Sequence, residues 1–297
     1  MESTGLAPDP RLPLDLERTI FELAALSFPK AIPIFLLIAW RVKKWVEPIL
    51  YRVLIIAPDT SGFSDYPVFS QEIILRKISN PALLQDSVRH LFMDDSTPSA
   101  ELGKIILACS RVISLAYSSP EPSQDLFLHK DCLRHLTISV DAFIACLLPE
   151  SSRDDLLPNL THLELLDTFG SLHEFELPAD VSRPLALIPN LTHLALNGIQ
   201  YNASLINLLR VDSRLLCIVL FCDGVNPDHP LSNDDRVVFV KQHADYRLDW
   251  VRGINTGESY WSLADSFIAA RRGSRLNIQH HKINDNGLLL CSVLSQN

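Results

Sequence analysis

"LPNLTHLELLD", residues 157–167, and "IPNLTHLALNG", residues 188–198, decide the fold of this chain. The six letters PNLTHL return unchanged after 31 residues. Both copies follow one spacing, apolar, two variable, apolar, one variable, apolar, as in Leu160, Leu163 and Leu165. Successive side chains of a strand point to opposite faces, so the last two apolar residues share a face. Each copy therefore predicts a short strand with one buried face.

The same template occurs four more times, as VRHLFM, VISLAY, LRHLTI and LLCIVL, beginning at residues 88, 112, 133 and 215. The six starts are separated by 24, 21, 27, 31 and 24 residues, and a seventh copy, LYRVLI, begins at residue 50. This is the L-x-x-L-x-L pattern of leucine-rich repeats, whose period is about 20–29 residues. A single strand cannot bury its apolar face, so neighbouring units must stack. The usual Asn or Cys three positions after the last leucine is absent, which predicts an irregular solenoid.

Several segments between the predicted strands have helical patterns. Thr97 is a plausible N-cap for "TPSAELGKIILACSR", Asp141 for "VDAFIACLL" and Asn202 for "YNASLINLLR". The proline-containing stretch 118–130 is expected to be extended or 3₁₀. After the last template copy, "RVVFV" predicts one more strand and "GESYWSLADSFIAARR" predicts an amphipathic helix. These last elements are expected to form a terminal cap, which an open solenoid needs.

Composition limits the classes of partner. The chain has 297 residues, 47% of them hydrophobic, enough for one large domain or two smaller ones. Its net charge is −9 and it has no basic run, which argues against a nucleic-acid partner. The most apolar stretch, "AIPIFLLIAW" at residues 31–40, is shorter than the roughly 20 residues of a membrane span. We therefore expect no membrane partner.

Acidic residues rather than a basic segment occupy the first 20 positions, which predicts no secretory signal and an intracellular, cytoplasmic or nuclear, location. The six cysteines form no C-x-x-C pair and several lie in apolar runs, so we expect reduced thiols. Without secretion, the three glycosylation sequons at Asn159, Asn190 and Asn202 are expected to be silent.

A helical module is predicted from residue 12 to residue 54. Two helices flank a short "SFPK" break, and the second must begin near Ile32, because Pro33 is tolerated only in a first turn. The module contains four short matches to a known pattern: Leu12-Pro13, Ile20-Phe21, Val42-Lys43-Lys44-Trp45 and Leu50-Tyr51. With these matches the module resembles the F-box.

The whole chain also resembles a large family of F-box-like proteins of mushroom-forming fungi. The resembling stretches are "LPLDLERTIFELAALSFPKAIPIFLLIAWRVKKWVEPILYRV", "VRHLFMDD", "PNLTHL" and "DYRLDWVRG…YWSLADSFIAARR". The expected fold class is α/β. An F-box-like helical module at residues 1–49 is followed by an irregular leucine-rich-repeat solenoid at 50–223 and a helical cap at 224–297.

The resemblance implies a protein-binding role, as the substrate-receptor subunit of a cullin-type (SCF) ubiquitin ligase with an unknown client protein. The residues that would bind a Skp-type adaptor are Leu12, Pro13, Leu16, Ile20, Phe21 and Trp45. The alternative is a repeat scaffold with no ligase link, whose N-terminal helices act only as a cap. Residues 12–21 should present an exposed apolar patch in the first case and a buried one in the second.

Four histidines, His90, His135, His162 and His193, occupy the same template position. With Phe92, Thr137 and Glu164, they are expected to face outward on the concave sheet and to bind the client. Three interpretations remain open for the row: a zinc site, a pH-sensitive recognition face, or ordinary half-exposed polar residues of a binding surface. Close imidazoles favour the neutral form, since like charges repel.

No phosphate-binding glycine loop, G-x-S-x-G or H-E-x-x-H motif occurs in the sequence. We therefore predict that the chain is not an enzyme and that it uses no cofactor and no metal.

Overall fold

The chain is an α/β protein built on one large sheet. The computed structural model describes residues 12–58, 63, 66–78, 81–94, 99–119, 126, 130–147, 157–166, 181–197, 203–221, 229–240, 246–273, 282–283 and 289–290. The strands are β1 (Val53–Ile56), β2 (Val68–Phe69), β3 (His90–Met93), β4 (Ser114–Tyr117), β5 (His135–Ser139), β6 (His162–Leu166), β7 (His193–Asn197), β8 (Cys217–Phe221), β9 (Val237–Val240), β10 (Lys282–Ile283) and β11 (Leu289–Leu290).

Helices alternate with these strands. They are α1 (Leu14–Ser27), α2 (Ile32–Phe35), α3 (Trp40–Leu50), α4 (Gln71–Lys77), α5 (Pro81–Ser87), α6 (Ser99–Ala108), α7 (Val140–Leu147), α8 (Ser182–Ala186), α9 (Ala203–Val211), α10 (Tyr246–Thr256) and α11 (Tyr260–Gly273). The sheet order is β2-β1-β3-β4-β5-β6-β7-β8-β9-β10-β11, and every neighbouring pair is parallel except β10 with β11. Each of the seven template copies, and the "RVVFV" segment, contains a strand as the sequence predicts, although the first apolar residue of every copy precedes its strand.

From β3 to β8 the second apolar position of the template forms a row across the sheet, on what we call the first face. In β1 the predicted positions are wrong by one residue: Leu54 continues the row, whereas Val53 and Ile55 lie on the opposite side of the sheet. The row, in register from strand to strand, is Leu54, Leu91, Leu115, Leu136, Leu163, Leu194, Ile218 and Val237. Each of these side chains is at most 3% exposed. Buried residues of α4 to α9 pack onto this row and complete the main core. The leucine spacing of the sequence is therefore the spacing of one continuous hydrophobic core.

The polar letters of PNLTHL join neighbouring repeats. Asn159 Nδ2 donates to the carbonyl of Asp131 at 2.7 Å, and Asn190 Nδ2 donates to the carbonyl of Pro158 at 2.6 Å. The hydroxyl of Thr192 donates to the carbonyl of Thr161 at 3.2 Å. Both asparagine amides thus bind the preceding repeat, which gives them a structural role without any glycan.

Replacing Asn190 with alanine is expected to lower the free energy of unfolding by about 1 kcal/mol, because a carbonyl of the preceding repeat loses its donor. Urea unfolding monitored by circular dichroism measures this change. Asn207→Ala, at an exposed position of α9, is the control. It should change stability by less than about 0.5 kcal/mol, with a slight gain from helix propensity. Equal effects of the two substitutions would contradict the role assigned to Asn190.

The N-terminal module consists of α1, a 3₁₀ turn at Pro29–Ala31, α2 and α3. Pro33 lies in the first turn of α2, and α2 begins at Ile32 as the sequence predicts. The predicted second helix is nevertheless divided, since α2 ends at Phe35 and α3 begins at Trp40. Ala39 between them has extended backbone (φ −161°, ψ 153°), which redirects the chain so that α3 packs along α1.

Residues on the inner side of the module join the main core, namely Ala25, Ile32, Val42, Val46 and Leu50. Arg41 on α3 and Glu17 on α1 form a two-pronged ion pair, with Arg41 Nη2 2.8 Å from Glu17 Oε1. The module is thus packed directly on the edge of the sheet that carries β1.

Helices α10 and α11 lie against the other side of the sheet, which we call the second face. Val251 and Trp250 of α10 pack on Ile55 and Phe92, while α11 packs on β8 and β9. The predicted terminal cap is corrected here: the two helices cover the second face rather than only closing the end of the sheet. The physical reason is that Phe92 and its apolar neighbours on this face need to be buried.

No helix in the described ranges is long and apolar enough to span a membrane. The cysteines within those ranges, Cys109, Cys132, Cys146 and Cys217, form no disulfide bond. Burial raises the pKa of the Cys109 and Cys217 thiols to about 12, so both stay protonated and behave as small apolar groups.

Candidate functional site

Helix α1 carries an exposed apolar stripe. Leu16, Ile20 and Leu23 are 54%, 52% and 58% exposed and recur at helical spacing, so they share one side of the helix. The opposite side of α1 faces the core through Phe21 and the fully buried Ala25. We call the set of exposed apolar residues of the module the N-terminal apolar surface. Its members are Leu12, Leu14, Leu16, Ile20, Leu23, Leu26, Phe28, Ile34, Leu37, Ile38 and Trp40.

Four of the six residues predicted to bind an adaptor are exposed in this module: Leu12, Pro13, Leu16 and Ile20. The other two face inward. The ring of Phe21 packs edge-on against Phe35 with centroids 6.0 Å apart, and Trp45 packs against the main core. The exposed Leu23, Leu37 and Trp40 are not among the residues predicted to bind an adaptor. The helical spacing of Leu16, Ile20 and Leu23 is a signal that could have indicated Leu23.

The histidine row lies on the second face. His135, His162 and His193 are paired in register on β5, β6 and β7. Ring centroids are 4.4 Å apart between His135 and His162, and 4.0 Å apart between His162 and His193. Trp261 of α11 contacts the last two rings edge-on, at 5.2 and 5.8 Å. The histidines thus lie on the face of the sheet opposite to the core leucines, as inferred from the sequence, and helix α11 lies over the row.

Burial keeps three imidazoles of the row, those of His90, His135 and His162, neutral. It lowers the pKa of His162 to about 2, with a further contribution from the neighbouring His193 and His135. It lowers the pKa of His90 to about 4, helped by the positive charge of Arg52. The pKa of His135 is also lowered by burial and by His193. At neutral pH the row therefore acts as a stack of aromatic packing groups.

Three ring nitrogens of the row, on His162 and His193, lie within hydrogen-bond distance of protein groups. His162 Nδ1 lies 2.8 Å from Thr161 Oγ1, and His193 Nδ1 lies 2.7 Å from Thr192 Oγ1. His193 Nε2 lies 3.0 Å from Asp265 Oδ1 of α11. Within the described ranges, no group of three or more His, Cys, Asp or Glu side chains is placed to hold a metal ion.

Glu164 is a buried carboxyl group on the second face, 5% exposed. Its Oε2 accepts a hydrogen bond from Thr137 Oγ1 at 3.1 Å. Burial, together with the charge of Asp249, raises the pKa of Glu164 to about 7, although the nearby Tyr260, Thr137 and Asn197 side chains oppose the increase. The carboxyl group is therefore about half protonated near neutral pH.

A cavity of about 370 Å³ separates the middle of the second face from the two C-terminal helices. We call it the sheet–helix cavity. Its sheet side includes His90, Ser114, His135, Leu136, Thr137, His162 and Glu164, and its helix side includes Tyr246, Asp249, Trp250, Gly253, Ile254, Gly257, Ser259, Tyr260, Trp261, Ser262 and Asp265. No sequence pattern predicts this cavity, because its two sides come from distant parts of the chain.

Two glycines shape the turn that closes the cavity. Gly257, between α10 and α11, has φ of +75°, a conformation that favours glycine. A Cβ atom at Gly253 would lie 2.8 Å from Cβ of Ser259, so only glycine allows this close approach. The turn brings Trp250 and Trp261 over the same cavity.

The expectation of an open client-binding face is corrected by this arrangement. Phe92 is fully buried, with its ring centroid 5.1 Å from that of Phe63 and 5.6 Å from that of Trp250. Thr137 and Glu164 are also buried, and the histidines are covered by the helices or line the cavity.

A second cavity, of about 410 Å³, lies where Ile254 and Asn255 of α10 approach Ala25 and Leu26 of the module.

Comparison of the chain with protein-family models, with curated protein sequences and with solved structures finds no match.

Proposed function

We propose that the chain is a protein-binding adaptor, the substrate-receptor subunit of a cullin-type (SCF) ubiquitin ligase. A Skp-type adaptor binds its N-terminal apolar surface. The observation that carries this proposal is the exposed stripe of Leu16, Ile20 and Leu23 on α1. It is supported by the resemblance of residues 12–51 to the F-box.

Exposed apolar side chains at this density favour a partner. Burying one Leu or Ile side chain contributes about 1.5–3 kcal/mol. Monomeric proteins rarely expose contiguous apolar patches of large area, and such patches commonly mark protein interfaces. Because α1 already buries its opposite side in the core, the stripe adds nothing to the fold of the module itself. The Skp-type adaptor is the occupant to which we assign it.

The rest of the chain is proposed to be a leucine-rich-repeat solenoid. Seven strands with the L-x-x-L-x-L spacing, stacked in parallel and in order beyond β1, support this assignment. In this proposal the chain performs no chemistry and raises the effective concentration of a client near the ligase. A client would have to displace α10 and α11 or bind outside the second face, since these helices cover the predicted client residues.

A second candidate is a repeat scaffold with no ligase link. It is favoured by the buried side of the module, where Ala25, Val42 and Val46 join the main core and cover the edge of the sheet. The two roles are compatible, because opposite sides of the module carry them.

Pull-down of a purified Skp-type adaptor by the intact chain tests the proposal. The double substitution Leu16→Asp with Ile20→Asp is expected to weaken capture by at least about 100-fold, since charged groups at an apolar interface centre cost several kcal/mol. The melting temperature should stay unchanged, because both side chains are exposed. Val211→Asp, at a 77% exposed position on α9, is the matched control and should retain capture.

Failure of the intact chain to capture the adaptor would eliminate the ligase proposal and leave the scaffold. Capture that survives the double substitution would show that the adaptor binds elsewhere on the chain.

A further inference from the structure

We propose that the sheet–helix cavity binds a small organic cation through a protonated amine or quaternary ammonium head. This binding is independent of the adaptor, because the N-terminal apolar surface contributes no residue to the cavity.

The charges around the cavity favour a cation. Glu164, Asp249 and Asp265 line it, and none of its lining residues within the described ranges is Lys or Arg. Asp249 is paired with Arg252 at 2.7 Å, and Asp265 Oδ1 lies 3.0 Å from His193 Nε2. Glu164 has no ion pair with a cationic side chain of the described residues. It is therefore the carboxylate that a ligand cation would meet.

Three buried polar atoms of residues that line the cavity have no hydrogen-bond partner within the described residues: Glu164 Oε1, the Tyr260 hydroxyl oxygen and His90 Nδ1. Glu164 Oε1 and the Tyr260 hydroxyl make no hydrogen bond of normal geometry with the described part of the chain, although the two side chains lie close enough for Tyr260 to favour the ionised carboxylate. Unsatisfied buried polar atoms are uncommon in folded proteins, and each one needs an explanation. An ammonium group supplies up to three donors and would satisfy Glu164.

Aromatic side chains form the helix side of the cavity. Tyr246, Trp250, Tyr260 and Trp261 all line it. Cations are attracted to the faces of such rings within about 6 Å of the ring centroid. The volume of about 370 Å³ lies within the range of small-molecule sites, about 300–1,000 Å³. The combination of a buried carboxyl group that forms no ion pair with the described residues, several aromatic rings and neutral imidazoles fits an organic cation with an apolar body.

Calorimetric titration of the intact chain with matched probes tests the charge requirement. The probes are 2-phenylethylamine and phenyltrimethylammonium as cations, 2-phenylethanol as a neutral analogue, and phenylacetate as an anion. We expect saturable binding of at least one cation, about tenfold or more tighter than the alcohol, since a hydrogen bond to a charged group is stronger than one between neutral groups. The two cations distinguish a hydrogen-bonded amine from a quaternary head held only by ring faces.

Glu164→Gln keeps the shape of the side chain and removes its charge. It should weaken cation binding about tenfold or more and leave the alcohol unchanged. Glu258→Gln removes the same charge from an exposed position beside Gly257 and is the matched control. It should change cation affinity less than twofold.

Cation affinity is also expected to rise between about pH 6 and about pH 8, as Glu164 ionises around its pKa of about 7. The groups that act on Glu164 are Thr137 on β5, Asn197 on β7, Asp249 on α10 and Tyr260 on α11. Of these, Asp249 opposes its ionisation, and Tyr260 stays neutral because burial raises its pKa well above the ordinary value. Both cations should show this rise, since neither loses its charge in that range.

Three results would overturn the proposal. They are equal affinity for 2-phenylethylamine and 2-phenylethanol, preference for phenylacetate, and no saturable binding of either cation at millimolar concentration. None of them depends on the folding of a variant. None bears on capture of the Skp-type adaptor, so the two proposals fail separately.

Discussion

Replacement of Arg236 by methionine is expected to lower the free energy of unfolding by about 2–4 kcal/mol. The Arg236 guanidinium forms a two-pronged ion pair with Asp234, with Nε and Nη2 2.9 and 2.7 Å from the carboxylate. It also donates to the carbonyls of Leu209 and Asp212, each at 2.6 Å. The side chain therefore joins the start of β9 to the end of α9. Methionine fills a similar volume but removes both guanidinium donors from the Asp234 carboxylate, which keeps, among the described residues, only the backbone N–H of residue 236 at 3.0 Å, and removes the guanidinium donors of two carbonyls.

Urea unfolding at neutral pH measures this change. Arg76→Met is the control, because Arg76 is 83% exposed and its Nη2 lies 3.9 Å from Glu72. Exposed pairs of this kind contribute little, so the control should cost less than about 0.5 kcal/mol. If both variants unfold at the same urea concentration, the role assigned to Arg236 is wrong.

Acidification is expected to destabilise the protein through the histidine row. The folded-state pKa values of His90, His135 and His162 lie below the ordinary value of 6.5. Their contribution to stability is therefore fully present above about pH 6.5 and is lost as the pH falls towards the folded-state values. Each extra proton bound by the unfolded state costs about 1.4 kcal/mol per pH unit.

Substituting His162 by phenylalanine isolates one of these protons. The ring still stacks between its neighbours, so the variant should lose stability less steeply between about pH 6.5 and about pH 4.5, by about 1.4 kcal/mol per pH unit. Unfolding free energies at several pH values measure the slope, and equal slopes for wild type and variant would refute this account.

Glu164 provides a control of opposite sign. Its pKa is raised from 4.5 to about 7 on folding, so its contribution is full below about pH 4.5 and is lost as the pH rises through about 7. Glu164→Gln removes this contribution. The variant should therefore lose stability on acidification more steeply than wild type over the same interval.

The strands could be predicted because each needs only local information. The apolar spacing around Leu163 and Leu194 fixes both the strand and the face that it buries. The polar side chains of the repeated letters PNLTHL also have local partners, since they donate to backbone carbonyls of the repeat immediately before. By contrast, no pattern predicts the role of the sequence elements Asp212-Ser213-Arg214 and Asp234-Asp235-Arg236. In each, the arginine pairs with the aspartate two residues before it and also donates to a backbone carbonyl of the preceding part of the chain. In the sequence alone, an Asp and an Arg two residues apart look like ordinary polar residues of a loop.

The covering of the second face could not be derived from periodicity, because it depends on residues far apart in the chain. A signal was nevertheless present. Ile55, Phe92 and Val219 occupy positions where an open face would carry polar side chains, and all three are fully buried. Apolar residues on both sides of a parallel strand indicate a sheet that is covered on both faces. Contacts between distant parts of the chain also determine the environment of the histidine row, since Trp261 of α11 covers two of its rings. In the same way, the protonation of Glu164 depends on Asp249 and Tyr260 of the C-terminal helices.

The position of α10 also determines when the fold can be completed during synthesis. Arg247 lies 3.5 Å from the buried Asp94 at the end of β3, and Trp250 packs on Phe92. The first strands leave the ribosome long before α10 exists, and domains fold in the order of synthesis only when their contacts are local. Until the last quarter of the chain emerges, Phe92 and Ile55 have no cover from α10. A nascent chain of this protein therefore exposes these apolar side chains until α10 packs over the sheet.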